Sequence, residues 1–356
     1  MKKNIVFALL CAMFICIVSG CGWMDGEYVF EEPSNLENSG NAKNAIVVSS
    51  YSQMCNALAN LIESGADDGI FDVSNFNDGS VRFFMDAAIR YVTTSNAMGA
   101  YAVDGITYEI GTSTGDQAVA VNIQYRFGRE HVMKIVMTYG MDEAKQALAE
   151  AMQSFKKNLI LRVSRYEELD ILQWSADYAL MHPETVIEVP KIDMHIYPRN
   201  GTDRIIVFDF TYSYNTAELM EMQRTANTIL NTPSQNAEQP MREYDRYVFL
   251  YHFLVDGGVF TLDKMTDTPV YSVLVNKTGD SASFANVYAL LCARAGLECY
   301  VVPGTCDDQP RVWNIIRFDD KYYHFDLLEC SQNQEFAVHV ADEMSGYVWD
   351  YGSFPN

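Results

Sequence analysis

Hydrophobic and polar positions alternate with two different periods along most of the chain. "VRFFMDAAIRYV" (81–92) has apolar residues at helical spacing. "GITYEI" (105–110), "QAVAVNIQYRF" (117–127) and "HVMKIVMTY" (131–139) alternate as strands do, with "GTSTGD" as a glycine-containing turn. "MDEAKQALAEAMQSFKKNL" (141–159) predicts a long helix, with acids in its first turn and lysines in its last, as the helix dipole favours. "YEELDILQWSADYALM" predicts another helix. "TVIEVPKIDMHIYP" and "DRIIVFDFTYSY" predict strands around the turn "RNGT", and "TAELMEMQRTANTIL" a further helix.

The elements from 45 to 230 therefore recur. Two local matches suggest a duplicated helix–strands–helix unit: "ITYEI" against "IDMHI", and "IVMTYG" against "IVFDFT". The two matches imply different offsets, so a duplication requires an extra strand in the first copy. Neither copy carries a recognisable catalytic set. Residues 231–241, "NTPSQNAEQPM", have linker composition. "REYDRYVFLYHFLVDGG" then places Tyr244, Tyr247, Leu250, Tyr251 and Leu254 on one helical face and stops at paired glycines. A second amphipathic helix follows Ser281, with Phe284, Val287, Tyr288, Leu291 and Ala295 as its buried stripe and Gly296 as its stop. Three short strands come next, "LECYVVPG", "RVWNIIRFD" and "KYYHFDLLE", separated by "TCDDQP" and "DD". The expected class is α+β: an N-terminal α/β region (45–230), then a helix packed on an antiparallel sheet (242–356).

The first 44 residues follow none of these periods. Lys2 and Lys3 precede an apolar run from Ile5 to Val18, which is short for a membrane span. The charged start and small-residue end read as a secretory signal over 1–20. "VSGC" resembles the bacterial lipobox, which implies lipidation (palmitate) of Cys21, a cell-membrane location and an extracytoplasmic face; an ordinary signal peptide or short anchor is the alternative. Residues 21–44 are polar and aperiodic, as suits a tether.

Composition narrows the partners. The 356 residues carry a net charge of −22, which disfavours nucleic acid. Cysteines form no CxxC pair and no cluster with histidine at metal spacing, so neither a metal nor a cofactor is expected. Cys292 and Cys299 fall on apolar periodicities, as core thiols do. Cys306 and Cys330 each follow a strand and would form a disulfide if the strand ends converge.

The segment from about Arg242 onward resembles the transglutaminase-like domain, of papain-type cysteine-protease architecture. The resemblance runs through "YHFLVDG", "GDSASFANVYALLCARAGLECYVVPGT", "RVWNIIRFDDKYYHFD" and "EFAVHVADEMSGYVWD". Active members follow a pattern like G-x-C-x-x-[YF]-A, where this chain has Gly279-Asp280-Ser281-Ala282-Ser283-Phe284-Ala285. They open the next strand with H-x-W-N, where this chain has Arg311-Val312-Trp313-Asn314. The aspartate of a YHxD motif is kept as Asp326, after Tyr323-His324-Phe325.

A cysteine at a helix N-terminus, beside a histidine, is held as thiolate at neutral pH. A serine needs a base more than a cysteine does, and a guanidinium at position 311 accepts no proton. The resemblance thus implies an inactive remnant at Ser281, Arg311 and Asp326, in a protein that binds or scaffolds protein or peptide partners. The alternative is an extracytoplasmic peptide hydrolase or acyl transferase with a non-standard catalytic set, either with His324 as a replacement base or as a serine–arginine–aspartate set. Trp313, Asn314 and His324 are candidate cleft residues, and Tyr322, Tyr323, Trp349 and Tyr351 could add aromatic surface. Arg311 either pairs with Asp326 or points into solvent.

Overall fold

A computed structural model describes residues 45–113, 116–132, 134–236, 241–255, 261–262 and 266–355. The expected signal peptide (1–20), Cys21 with its lipid and the tether (21–44) lie outside the described residues. So do linker residues 237–240 and the paired glycines 257 and 258.

The chain is α+β. A first unit comprises β1 (Ile46–Val47), α1 (Tyr51–Ser64), β2 (Asp68–Asp72), α2 (Val81–Ser95), α3 (Ala97–Ala102), β3 (Val103–Ser113) and β4 (Asp116–Tyr125). Ser50 caps α1 by accepting the Gln53 N–H, and Gly65, in the left-handed region at φ 66°, ends it. A second unit comprises β5 (Val136–Thr138), α4 (Met141–Gln153), β6 (Asn158–Val163), α5 (Ile171–Met181), β7 (Lys191–Tyr197) and β8 (Arg204–Thr211).

The two sheets share one topology, β1-β2-β4-β3 and β5-β6-β8-β7. In each, the first pair is parallel and the other two are antiparallel. The repeat expected from the pattern is present as topology, but with a different boundary. "ITYEI" and "IDMHI" do fall on equivalent strands, β3 and β7. "IVMTYG" and "IVFDFT" do not: they fall on β5 and β8, the first and last strands of the same unit. The first copy needs no extra strand, because β5 belongs to the second.

The predicted helix 141–159 runs too far, overlapping the first two residues of strand β6, whose remainder the pattern leaves unassigned. Helix α4 stops at Gln153, Phe155 turns the backbone at φ 52°, and the lysines 156 and 157 lie beyond its last turn. The strand escapes a period-2 reading because it is covered on both faces. Leu159, Leu161 and Val163 join the core under α4 and α5, with Ile206 and Phe208 of β8. Ile160 and Ile205 face the core of the first unit instead. Arg162 fastens the same junction, binding Asp203 through Nε and Nη2 (3.0 and 2.8 Å) and Glu63 through Nη1 (2.8 Å).

Beyond some short helical turns, the remaining elements are α6 (Thr216–Asn236), α7 (Glu243–Val255), a parallel pair β9 (Thr261–Leu262) and β10 (Thr278–Gly279), α8 (Ser281–Arg294), β11 (Cys299–Cys306), β12 (Gln309–Phe318), β13 (Lys321–Phe325), α9 (Leu327–Asn333) and β14 (Tyr347–Trp349). Helix α6 runs through residues 231–236, which composition alone assigns to a linker, and it carries Pro233. Its Leu219, Ala226 and Leu230 are buried with Leu250 of α7 and Leu291 of α8. The apolar stripe expected on α7 is buried at Tyr247, Leu250, Tyr251 and Leu254, whereas Tyr244 is exposed.

The four-stranded sheet β13-β12-β11-β14 is antiparallel throughout. Its two tight hairpins turn on Asp307–Asp308 (φ 49° and 62°) and Asp319–Asp320 (φ 50° and 58°). Two consecutive left-handed residues make the turn whose twist matches a right-twisted hairpin, a role aspartate tolerates. Buried tyrosine hydroxyls tie α7 to the sheet and the helices to one another. Tyr247 donates to the Glu298 carbonyl just before β11 (2.6 Å) and accepts the Arg317 N–H of β12 (3.4 Å), while Tyr251 donates to the Cys330 carbonyl of α9 (3.0 Å) and Tyr288 of α8 to the Tyr247 carbonyl of α7 (2.9 Å).

Candidate functional site

Ser281 is the first residue of α8, and the local sequence explains why the helix begins there. Asp280 is extended, and its Oδ1 accepts the Ser283 backbone N–H (2.8 Å) and the Ser283 hydroxyl (2.6 Å). The positive end of the helix therefore already faces a carboxylate. Helix α8 is held over the sheet by Asn314, whose Nδ2 donates to the carbonyls of Ala285 (3.0 Å) and Tyr300 (3.3 Å). That contact puts the start of α8 beside the start of β12, and Ser281 Oγ accepts the Val312 backbone N–H at 3.2 Å.

The structure brings the three motif positions together. Arg311 Nε donates to Asp326 Oδ2 at 2.7 Å, and Arg311 sits one residue before the amide that holds Ser281. The Arg311–Asp326 pair forms, and the solvent-pointing alternative does not. Asp326 is fully engaged. Its Oδ1 caps α9 through the N–H groups of Leu328 (3.0 Å) and Glu329 (3.2 Å). Its Oδ2 takes the Tyr347 hydroxyl (2.8 Å) as well as Arg311. The side chains are 3% and 19% exposed for Asp326 and Arg311, so this is a buried charge pair in which both carboxylate oxygens are satisfied.

Electrostatics reinforce the geometry. Burial opposes the charge on Arg311, but the hydrogen bond and charge of Asp326 outweigh it and hold its pKa above the ordinary arginine value. Burial, then the Asp326 charge, pushes the Tyr347 phenol well up, so it stays a donor. Its single proton reaches Asp326 Oδ2, with Glu329 Oε2 at 3.2 Å as a second acceptor.

His324 is occupied elsewhere. Its Nδ1 accepts the Trp313 indole N–H at 2.9 Å, which fixes the neutral tautomer with its proton on Nε2. Burial, then the neighbouring His339, pushes its pKa down to about 4. Ser281 Oγ meets the Val312 amide where a base would be needed.

The candidate cleft residues are core residues. Trp313 and Asn314 are fully buried and His324 is 1% exposed. Trp313 and Asn314 alternate across β12, which is covered on both sides, and His324 lies on the neighbouring β13. Asn314 faces α8, while Trp313 packs with Val302, Ile315, Met344 and Trp349 under the C-terminal segment. Of the aromatics expected to add surface, Trp349 is buried, Tyr322 and Tyr323 are half-buried, and only Tyr351 is largely exposed.

Cys306 and Cys330 are both free. Cys330 Sγ bonds the carbonyl and amide of Ala337 (3.3 and 3.4 Å), while Cys306 ends β11 opposite Tyr347. Cys306 closes a strand and Cys330 comes after one, but α9 carries Cys330 into the helical core. Cys292 is in that core too, with Cys299 half-buried against it.

No family model matches the chain, and no curated protein matches it. The solved structures to which the chain is similar include these two. One is a crystal structure of a TGase, at 11% identity and a TM-score of 0.26, covering 58% of this chain and 60% of that one. The other is a candidate protease from Parabacteroides distasonis, at 9% identity and a TM-score of 0.23, covering 62% of this chain and 35% of that one. The chain thus spans less than two thirds of either.

Tyr347 is the site residue that pattern reading misses. It lies 21 positions from Asp326 and reaches it because β14 pairs with β11 at the far edge of the sheet from β13. No local signal announces that pairing.

Proposed function

We propose that this is a membrane-tethered extracytoplasmic protein whose C-terminal, transglutaminase-like domain does not catalyse and instead binds or scaffolds protein or peptide partners at the cell envelope. One observation carries the non-catalytic half: the position a base would need is filled by a guanidinium locked to Asp326 at 2.7 Å. A group that cannot accept a proton leaves the Ser281 hydroxyl at its ordinary, unreactive protonation. The neutral His324 is bound to Trp313 and contributes no proton transfer. The tether rests on Lys2, Lys3, the apolar run and the "VSGC" sequence ending in Cys21. Among the described residues no helix is long and apolar enough to cross a membrane.

Purified full chain is expected neither to hydrolyse peptides nor to incorporate amines into glutamine substrates, and Ser281→Ala is expected to leave both at background. Turnover that disappears with Ser281→Ala would overturn the proposal. For the tether, metabolic labelling with a radioactive or clickable palmitate is expected to mark the chain and to fail with Cys21→Ala.

A further inference from the structure

A cavity of about 500 Å³ opens on the first unit and shares no residue with the Ser281 site. It lies between the C-terminal turn of α1, helix α3 and the end of β4. Its buried floor is Ile62, Met98 and Ala102, and half-buried Phe127 forms one wall. That volume, with an apolar floor and a rim of polar and charged groups, matches small-molecule sites.

The charged groups around the opening are not equivalent. Glu63 is already spent, because both its oxygens are held by Arg162 at 2.8 Å. Asp67 is exposed, and its carboxylate takes no hydrogen bond or ion pair from the described residues. Arg126 is anchored by Nη1 to the carbonyls of Ala100 and Tyr101 (3.2 and 3.3 Å). Its Nε stands 3.9 Å from the exposed Asp104, and its Nη2 meets no acceptor among the described residues. One negative and one positive group thus remain available on the rim of a single apolar cavity. The carbonyl end of α1, which terminates at the opening, adds to the negative side.

We propose that this cavity binds a small zwitterion with an apolar body, its ammonium on Asp67 and its carboxylate on Arg126. A free amino acid with an aliphatic side chain and a short apolar peptide share that chemistry. A simple fatty acid or a simple amine satisfies only one of the two rim charges, and a net charge of −22 further disfavours a ligand that is only anionic. The site is independent of the reading of the C-terminal domain.

Isothermal titration of the full chain with leucine, leucyl-leucine, isocaproate (leucine without its amine) and isoamylamine (leucine without its carboxylate) tests it. At least one zwitterion is expected to bind, and which of the two binds tighter separates the amino acid from the peptide. Each one-charge analogue is expected to bind about tenfold more weakly, the loss of one charge-assisted hydrogen bond at a wet rim. Asp67→Asn, an exposed change that leaves the packing intact, is expected to weaken the zwitterion about tenfold while leaving isocaproate unaffected. Arg126→Gln is expected to weaken the zwitterion and leave isoamylamine unaffected, in protein whose unperturbed circular dichroism shows it folded. The proposal is overturned if neither zwitterion gives heat at millimolar concentration, if the analogues bind as tightly, or if Asp67→Asn changes nothing.

Discussion

Replacing Arg311 by methionine keeps most of the aliphatic stem and removes the guanidinium from Asp326. The carboxylate is 3% exposed and loses the partner at 2.7 Å that balances its charge. Removing one member of a fully buried ion pair costs about 3–5 kcal/mol, because the other charge stays behind in a poor solvent. Asp326 keeps three donors, the N–H groups of Leu328 and Glu329 and the Tyr347 hydroxyl, so the low end applies, about 3 kcal/mol. Asp326→Asn should relieve the stranded charge while still capping α9. In the cycle Arg311→Met, Asp326→Asn and both together, the double variant is expected to be less destabilised than the sum of the singles, by about 1–3 kcal/mol. Urea unfolding followed by tryptophan fluorescence reads this, because Trp313 packs 5.1 Å from the Tyr347 ring beside the pair. A loss below about 1 kcal/mol for Arg311→Met would place the pair with solvent-screened surface contacts and refute the argument.

Other consequences are equally direct. His324 titrates near 6.5 when unfolded and at about 4 when folded, so the unfolded chain binds the extra proton between those values. Stability from this residue is therefore complete above pH 6.5 and lost as pH falls toward 4, by an amount on the order of 3 kcal/mol. His324→Gln should flatten that part of the profile, and an unchanged slope counts against the lowered pKa of His324. A Cβ at Gly304 would lie 2.3 Å from the Val348 carbonyl oxygen and 2.6 Å from the Trp313 ring. Gly304→Ala is expected to cost about 1–3 kcal/mol by pushing β14 off β11, seen as an altered near-ultraviolet signal; wild-type stability would contradict it. Burial pushes the Cys330 thiol up to about 11 and holds the Cys292 thiol protonated. In native protein at pH 8 both should react with a thiol reagent more slowly than half-buried Cys306, and equal rates would argue against the described core.

Much of the C-terminal domain was legible in order and kind. Asp280 before Ser281, the stripe through Phe284, Tyr288 and Leu291, and the Asp-Asp turns specify a helix and two hairpins from near neighbours alone. The residue types at 281, 311 and 326 raised the question of a missing base before any contact was known. In the N-terminal half, the similarity of "ITYEI" and "IDMHI" correctly marked equivalent strands. The unit boundary and strand β6 were not legible, because Ile160 and Leu161 point into two different cores and so erase the alternation that identifies a strand.

What the sequence by itself determined, then, is whatever depends on a few adjacent residues: caps, turns, helical stripes and the chemistry available at each motif position. Tertiary structure alone decided the rest. It ran α6 into the C-terminal core, buried Trp313, Asn314 and His324, and carried Tyr347 to Asp326. Each of these depends on which surfaces meet across long stretches of chain. Burial and strand order are properties of that meeting, and periodicity within one segment holds no record of its partner.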